Sequence, residues 1–170
     1  TNKSVAPGSY TPKTTTQLTK RFEQNLSYKS MLPGDDSLDR FIWRDLYVLP
    51  GNPSSWSTTM SLPNLSADLA ASVLIKFFGM SSNNSVNPDH IVDVLINGNN
   101  IGTVRWDGQI PYLADLTIPA GVLISGTNTI TFNMNGEHGV YDFVCLDWFE
   151  INYTANIAAV SDKFLLKNST

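Results

Sequence analysis

The chain has 170 residues, enough for one well-packed domain and short for two, with 42% hydrophobic and 15% charged residues and a net charge of -4. The charged fraction is low against the ~25% usual for soluble domains, and Asn, Ser and Thr supply the polarity instead. This composition offers no basic surface to nucleic acid, no run reaches the ~18 apolar residues of a membrane helix, and one cysteine cannot close an intrachain disulfide.

Residues 1–20, TNKSVAPGSYTPKTTTQLTK, hold Thr, Ser, Pro and Lys with almost no large apolar side chains and read as a linker. A single β-sandwich domain is expected over 21–166, with a short tail at 167–170. Helical periodicity is hard to find, whereas short β-type runs recur between Gly, Asn, Pro and Asp. The clearest are FIWRDLYVL (41–49), ASVLIKFFGM (71–80), HIVDVLINGNNIGTVRW (90–106), LADLTIP (113–119), NTITFNMN (128–135) and DFVCLDWFEINY (142–153). Asn97-Gly98 divides the third run, and this pair favours the positive φ values of a two-residue hairpin turn, so a hairpin is expected near 91–106. PGNPSSW (50–56) and SSNNSVNPD (81–89) read as breakers between strands. The pattern predicts an all-β fold, a jelly-roll-like antiparallel sandwich with one core between two sheets.

The chemistry-bearing residues are few. GDDSLDR (34–40) lacks the glycine and distal glutamate of a calcium-binding hand and reads as a solvated loop. His90 and His138 are far apart and have no metal-ligand spacing, so they read as ordinary loop or strand-edge histidines. Cys145 lies seven positions after His138, which invites a thiol-nucleophile reading. A strand interior is a poor place for such a nucleophile, however, and free cysteine packs as a small hydrophobe.

Strict alternation in the last run puts Asp147 on one face with Phe143, Cys145, Phe149 and Ile151. A carboxylate on so apolar a face must be paired, hydrogen-bonded to amides, or bound to a cation. Arg40, Arg44 and Arg105 are candidate partners, as are turn amides. Calcium is the alternative, with Glu23 as a second ligand if the first strand pairs beside the last. Among four tryptophans, Trp43 and Trp148 lie within strands and read as core. Trp56 and Trp106 lie next to breakers, and with Asp107 and Tyr112 they form a candidate sugar platform, because aromatic faces stack on sugars.

The order VLINGNNIGTVRWDG, IPAGVLISGTNTITFNM, FVCLDWFEINYTANI resembles the β-sandwich region that precedes the catalytic domain in gingipain-like cysteine peptidases and the sortase-like peptidase of type IX secretion. Leu95 to Gly98, Trp106 to Gly108, Leu123 to Ile130 and Leu146 to Tyr153 carry the likeness; Thr154 and Ala155 stand where that group often has arginine. Galactose-binding-like carbohydrate-binding modules share the "LIxGxN" turn and a closing-strand aspartate that in some of them ligates structural calcium.

The resemblance implies a non-catalytic binding or scaffold module of a larger bacterial extracellular or cell-envelope protein, with neighbouring domains of that protein as its partners. It also implies that the peptidase cysteine and histidine belong to a separate domain, so Cys145 takes no catalytic role. A glycan-binding module using Trp56, Trp106 and Tyr112 is the second expectation. An autonomous thiol hydrolase is the third.

Overall fold

The computed structural model describes residues 14–157, and every regular element among them is a β-strand. In chain order these are β1 (Thr15–Glu23), β2 (Ser27–Tyr28), β3 (Phe41–Ile42), β4 (Arg44–Val48), β5 (Ser54–Leu62), β6 (Ala71–Gly79), β7 (His90–Ile96), β8 (Asn99–Trp106), β9 (Pro111–Ile118), β10 (Gly126–Met134) and β11 (Asp142–Asn156). One sheet has the order β1-β11-β6-β9 with β4 also beside β11; the other has the order β5-β10-β7-β8; β2 and β3 form a small hairpin. All of these pairings are antiparallel.

Alternation along the strands builds the core. Val73, Ile75 and Phe77 of β6 and Phe149 and Ile151 of β11 meet Val92, Val94 and Ile96 of β7 and Ile130 and Phe132 of β10. Each is worth roughly 1.5–3 kcal/mol when fully buried. Phe132 lies near the middle, with its ring centroid 5.8 Å from Phe77 and 6.0 Å from Trp56. Asn97 and Gly98 take φ values of 50° and 80° and join β7 to β8 in the expected hairpin.

Three expectations are corrected. Residues 15–20 of the supposed linker belong to β1, which pairs with β11 from Thr15↔Asn156 to Glu23↔Trp148. Their polarity suits an edge strand. Residues 1–13 and 158–170, which hold the rest of that linker, the end of the expected domain and the tail, lie outside the described residues. Trp56 belongs not to a loop but to β5, whose Ser/Thr row conceals an alternation of half-buried and exposed positions.

The third correction concerns β11. Its register slips between Leu146 and Trp148, so Asp147 is the extra residue of a β-bulge. The bulge changes the phase: Val144 and Leu146 before it and Phe149, Ile151 and Tyr153 after it all enter the main core. Cys145 packs in a separate cluster with Leu32, Ile42 and Phe78, with Phe143 against it. Cys145 and Phe149 therefore do not share a face.

Candidate functional site

Asp147 sits where β11 changes partners. On one flank β4 pairs with Asp142 to Leu146, ending at Arg44↔Leu146, and β1 pairs with Trp148 to Asn156, ending at Glu23↔Trp148. Asp147 falls in the gap between the two partner strands. It is only 5% exposed, and its Oδ1 has no hydrogen-bond partner among the described residues.

None of the expected arginine partners reaches it. Arg40 donates to the carbonyls of Ser30 and Leu32, Arg44 lies over the Trp56 ring, and Arg105 is 3.8 Å from Glu137. Burial, reinforced by the charges of Glu23 and Asp39, pushes the Asp147 carboxyl up to about 6. Glu23 accepts from Arg21 at 2.7 Å. An orphaned, buried carboxylate oxygen is the kind of donor a hard cation takes, but the positive charges of Arg21 and Lys76 also act on Asp147, and Glu23 is already paired with Arg21. No three His, Cys, Asp or Glu side chains among the described residues converge on a metal, so other ligands would have to include backbone carbonyls or water.

The aromatic candidates separate. Trp106 is 4% exposed and stacks between Phe77 at 5.5 Å and Tyr112 at 5.0 Å, so it is core and offers no face to a sugar. Asp107 is exposed in the turn after β8, and Tyr112 is half-buried against Trp106. Trp56 instead borders a groove of about 270 Å³ at the side of the sandwich, lined also by Arg44, Tyr47, Asn52 and Ser55. The Arg44 guanidinium is 5.8 Å from the Trp56 ring, and among the described residues Arg44 has no carboxylate partner.

A buried polar cluster escaped the sequence reading. His90 is fully buried; its Nδ1 is 2.6 Å from Asp142 Oδ1 and its Nε2 is 3.2 Å from the Gly108 carbonyl. Asp89 accepts from the amides of Asn83 and Gly108, and Asp142 accepts from the amide of Ile91. The cluster thus ties together the 80–89 loop, the β8–β9 turn and the starts of β7 and β11. The available signal was positional: Asp89-His90 and Asp142 are polar residues flush against apolar runs, 52 positions apart from His90 to Asp142. Cys145 donates to Asp45 at 3.4 Å, and burial pushes its thiol far up, so it is not poised as a nucleophile.

These features define an all-β, jelly-roll-like antiparallel sandwich. No protein-family model matches the chain, and none of the curated proteins does. Among solved structures it is similar to dimeric latent PorU from Porphyromonas gingivalis, with a TM-score of 0.60 and 12% identity over 91% of this chain and 14% of that one. It is also similar to a family 35 carbohydrate-binding module from an environmental isolate (TM-score 0.49, 15% identity, 83% of this chain and 99% of that one). A third is the CBM36 carbohydrate-binding module in complex with calcium and xylotriose (TM-score 0.44, 16% identity, 80% and 98%). At these identities the likeness is one of fold.

Proposed function

We propose that the chain is a non-catalytic packing or scaffold module of a larger bacterial extracellular or cell-envelope protein, beside a peptidase-like partner. The observation that carries this reading is an apolar surface on the β2–β3 hairpin. Tyr28 and Phe41 pack ring against ring there, and Leu26 just before β2 and Met31 just after it are 68% and 85% exposed. Contiguous exposed apolar surface commonly marks an interaction site. The likeness in fold to one part of PorU supports the same reading.

Hydrogen exchange tests it. In the complete natural chain, amides of residues 26–42 exchange more slowly than in the 170-residue chain; equal exchange in both overturns the reading.

A second reading, glycan binding, is favoured by one observation: Trp56, Tyr47, Arg44 and Asn52 share the side groove. Trp106 drops out of that site because it is core, and Asp107 and Tyr112 stand beside it only as neighbours. Retardation on polysaccharide affinity gels that is lost in Trp56→Ala supports this reading. No retardation on plant, microbial or host polysaccharides sinks it.

Calcium belongs to the same proposal. Asp147 and Glu23 would hold it, and the ion would neutralise the buried carboxylate and pin β1 to β11 across the bulge.

A further inference from the structure

We infer that the exposed edge of β5 is a docking site for an extended segment of another polypeptide, which adds to the four-stranded sheet as a fifth strand. This deepens the reading of the chain as a module packed beside a partner, and rests on it.

β5 is a nine-residue edge strand, SSWSTTMSL, paired with β10 in unbroken register from Met134↔Ser54 to Gly126↔Leu62. Proteins usually defend an open edge with charge, proline, a bulge or short length. The other main edges here follow that rule. β1 carries Lys20, Arg21 and Glu23; β4 is five residues long with Arg44 and Asp45; β9 carries Pro111 and Asp115; β8 carries Arg105 and faces a register slip at Val94/Leu95. β5 has none of these defences within its length. Pro53 and Pro63 merely bound it.

Two contacts fix which backbone groups of β5 face outward. Thr129 donates its amide to Asn97 Oδ1 and accepts from the Asn97 amide, so it faces β7 and its pair with Thr59 is not hydrogen-bonded. Lys20 Nζ donates to the Ser61 carbonyl at 2.7 Å. By alternation, Ser55, Ser57, Thr59 and Ser61 present N–H and C=O to the edge, and all four residues are exposed. An extended peptide is the ligand whose own backbone repeat matches such a row.

Charge says which peptide. Arg44 stands at the Ser54 end beside the groove, where the neighbouring Asp45 carboxylate is already held by Lys29 at 2.6 Å, and Lys20 stands at the Ser61 end. Two copies of this chain joined antiparallel through β5 would set Arg44 of one against Lys20 of the other. A different polypeptide avoids that repulsion. It is uncharged along Ser55 to Thr59, places alternate side chains toward Trp56, and carries a carboxylate where it passes Arg44.

The probe is a displayed library of random dodecapeptides selected on the 170-residue chain. Thr59→Pro removes an outward N–H without breaking a bond to β10, and Thr59→Lys adds edge charge if the proline variant does not fold. Expected are peptides with an acidic end whose binding weakens at least tenfold in either variant and severalfold in Arg44→Gln, with slowed exchange at Ser55, Ser57 and Thr59. Peptides indifferent to both Thr59 variants, no selected peptides, or self-association through β5 overturns the inference. Because the hairpin exchange experiment reads residues 26–42, a failure here is distinguishable from failure of the module reading.

Discussion

His90 and Asp142 form a buried hydrogen-bonded pair, Nδ1 to Oδ1 at 2.6 Å, that joins the first residues of β7 and β11. Both ring nitrogens face acceptors. The Gly108 carbonyl accepts from Nε2–H and the Asp142 carboxyl stands against Nδ1, an arrangement that favours the protonated ring.

Stability should therefore fall as pH rises. Burial opposes the charged ring, but the hydrogen bond to Asp142 and the charges of Asp142 and Asp89 outweigh it and raise the His90 pKa. A folded value above the ~6.5 of a free histidine gives stability that is complete below about pH 6.5 and lost as pH climbs through the folded value. Glu137 and His138 also border the small cavity beside Asp89 and Asp142, and Arg105 contacts Glu137. Urea titrations between pH 6 and 9 should show this decline. Asp142→Asn should cost about 3 kcal/mol at pH 6 and flatten the slope. An equally steep slope in the variant refutes the assignment.

Calcium should stabilise the chain through Asp147. The melting temperature is expected to drop on chelation and to recover with added Ca²⁺. Asp147→Asn should abolish the response and melt higher than the chelated parent, since it removes an unpaired buried charge. An unchanged melting temperature in excess chelator would falsify calcium binding.

Two tryptophans should behave in opposite ways. Trp106→Ala opens the core between Phe77 and Tyr112 and should cost about 3–5 kcal/mol. Trp56→Ala should cost less, because part of the ring already faces the groove. Chemical denaturation of both variants measures the difference, and equal losses would contradict the assignment of Trp56 to a groove wall.

Cys145 should resist thiol reagents in the native protein and react fully once unfolded. It is fully buried, with its thiol directed at Asp45. Rapid labelling under native conditions would revive the thiol-hydrolase reading.

Much of the fold was legible because burial leaves a period. The apolar alternation of β6, β7, β10 and β11 and the Asn97-Gly98 turn announce an antiparallel sandwich before any coordinates. β1 and β5 were less legible, since an edge strand with a Ser/Thr row looks like a loop in composition. The bulge at Asp147 was invisible for a different reason: the one-residue slip is against β6, and it falls where β1 has ended at Glu23 and β4 begins at Arg44, more than a hundred residues earlier in the chain. The His90–Asp142 pair has the same origin. Its meaning arises only when two strand starts are brought together.

The position of β11 also bears on how the chain acquires its structure. This strand is the last of those described, yet β1, β4 and β6 all pair with it, so most of the five-stranded sheet waits for it. On a ribosome, β1 is made first and remains without its partner until β11 emerges. Such long loop closures slow folding. In the interval the uncharged β5 edge and the apolar strands stay open to wrong partners, making synthesis the stage at which this sequence is most prone to aggregate.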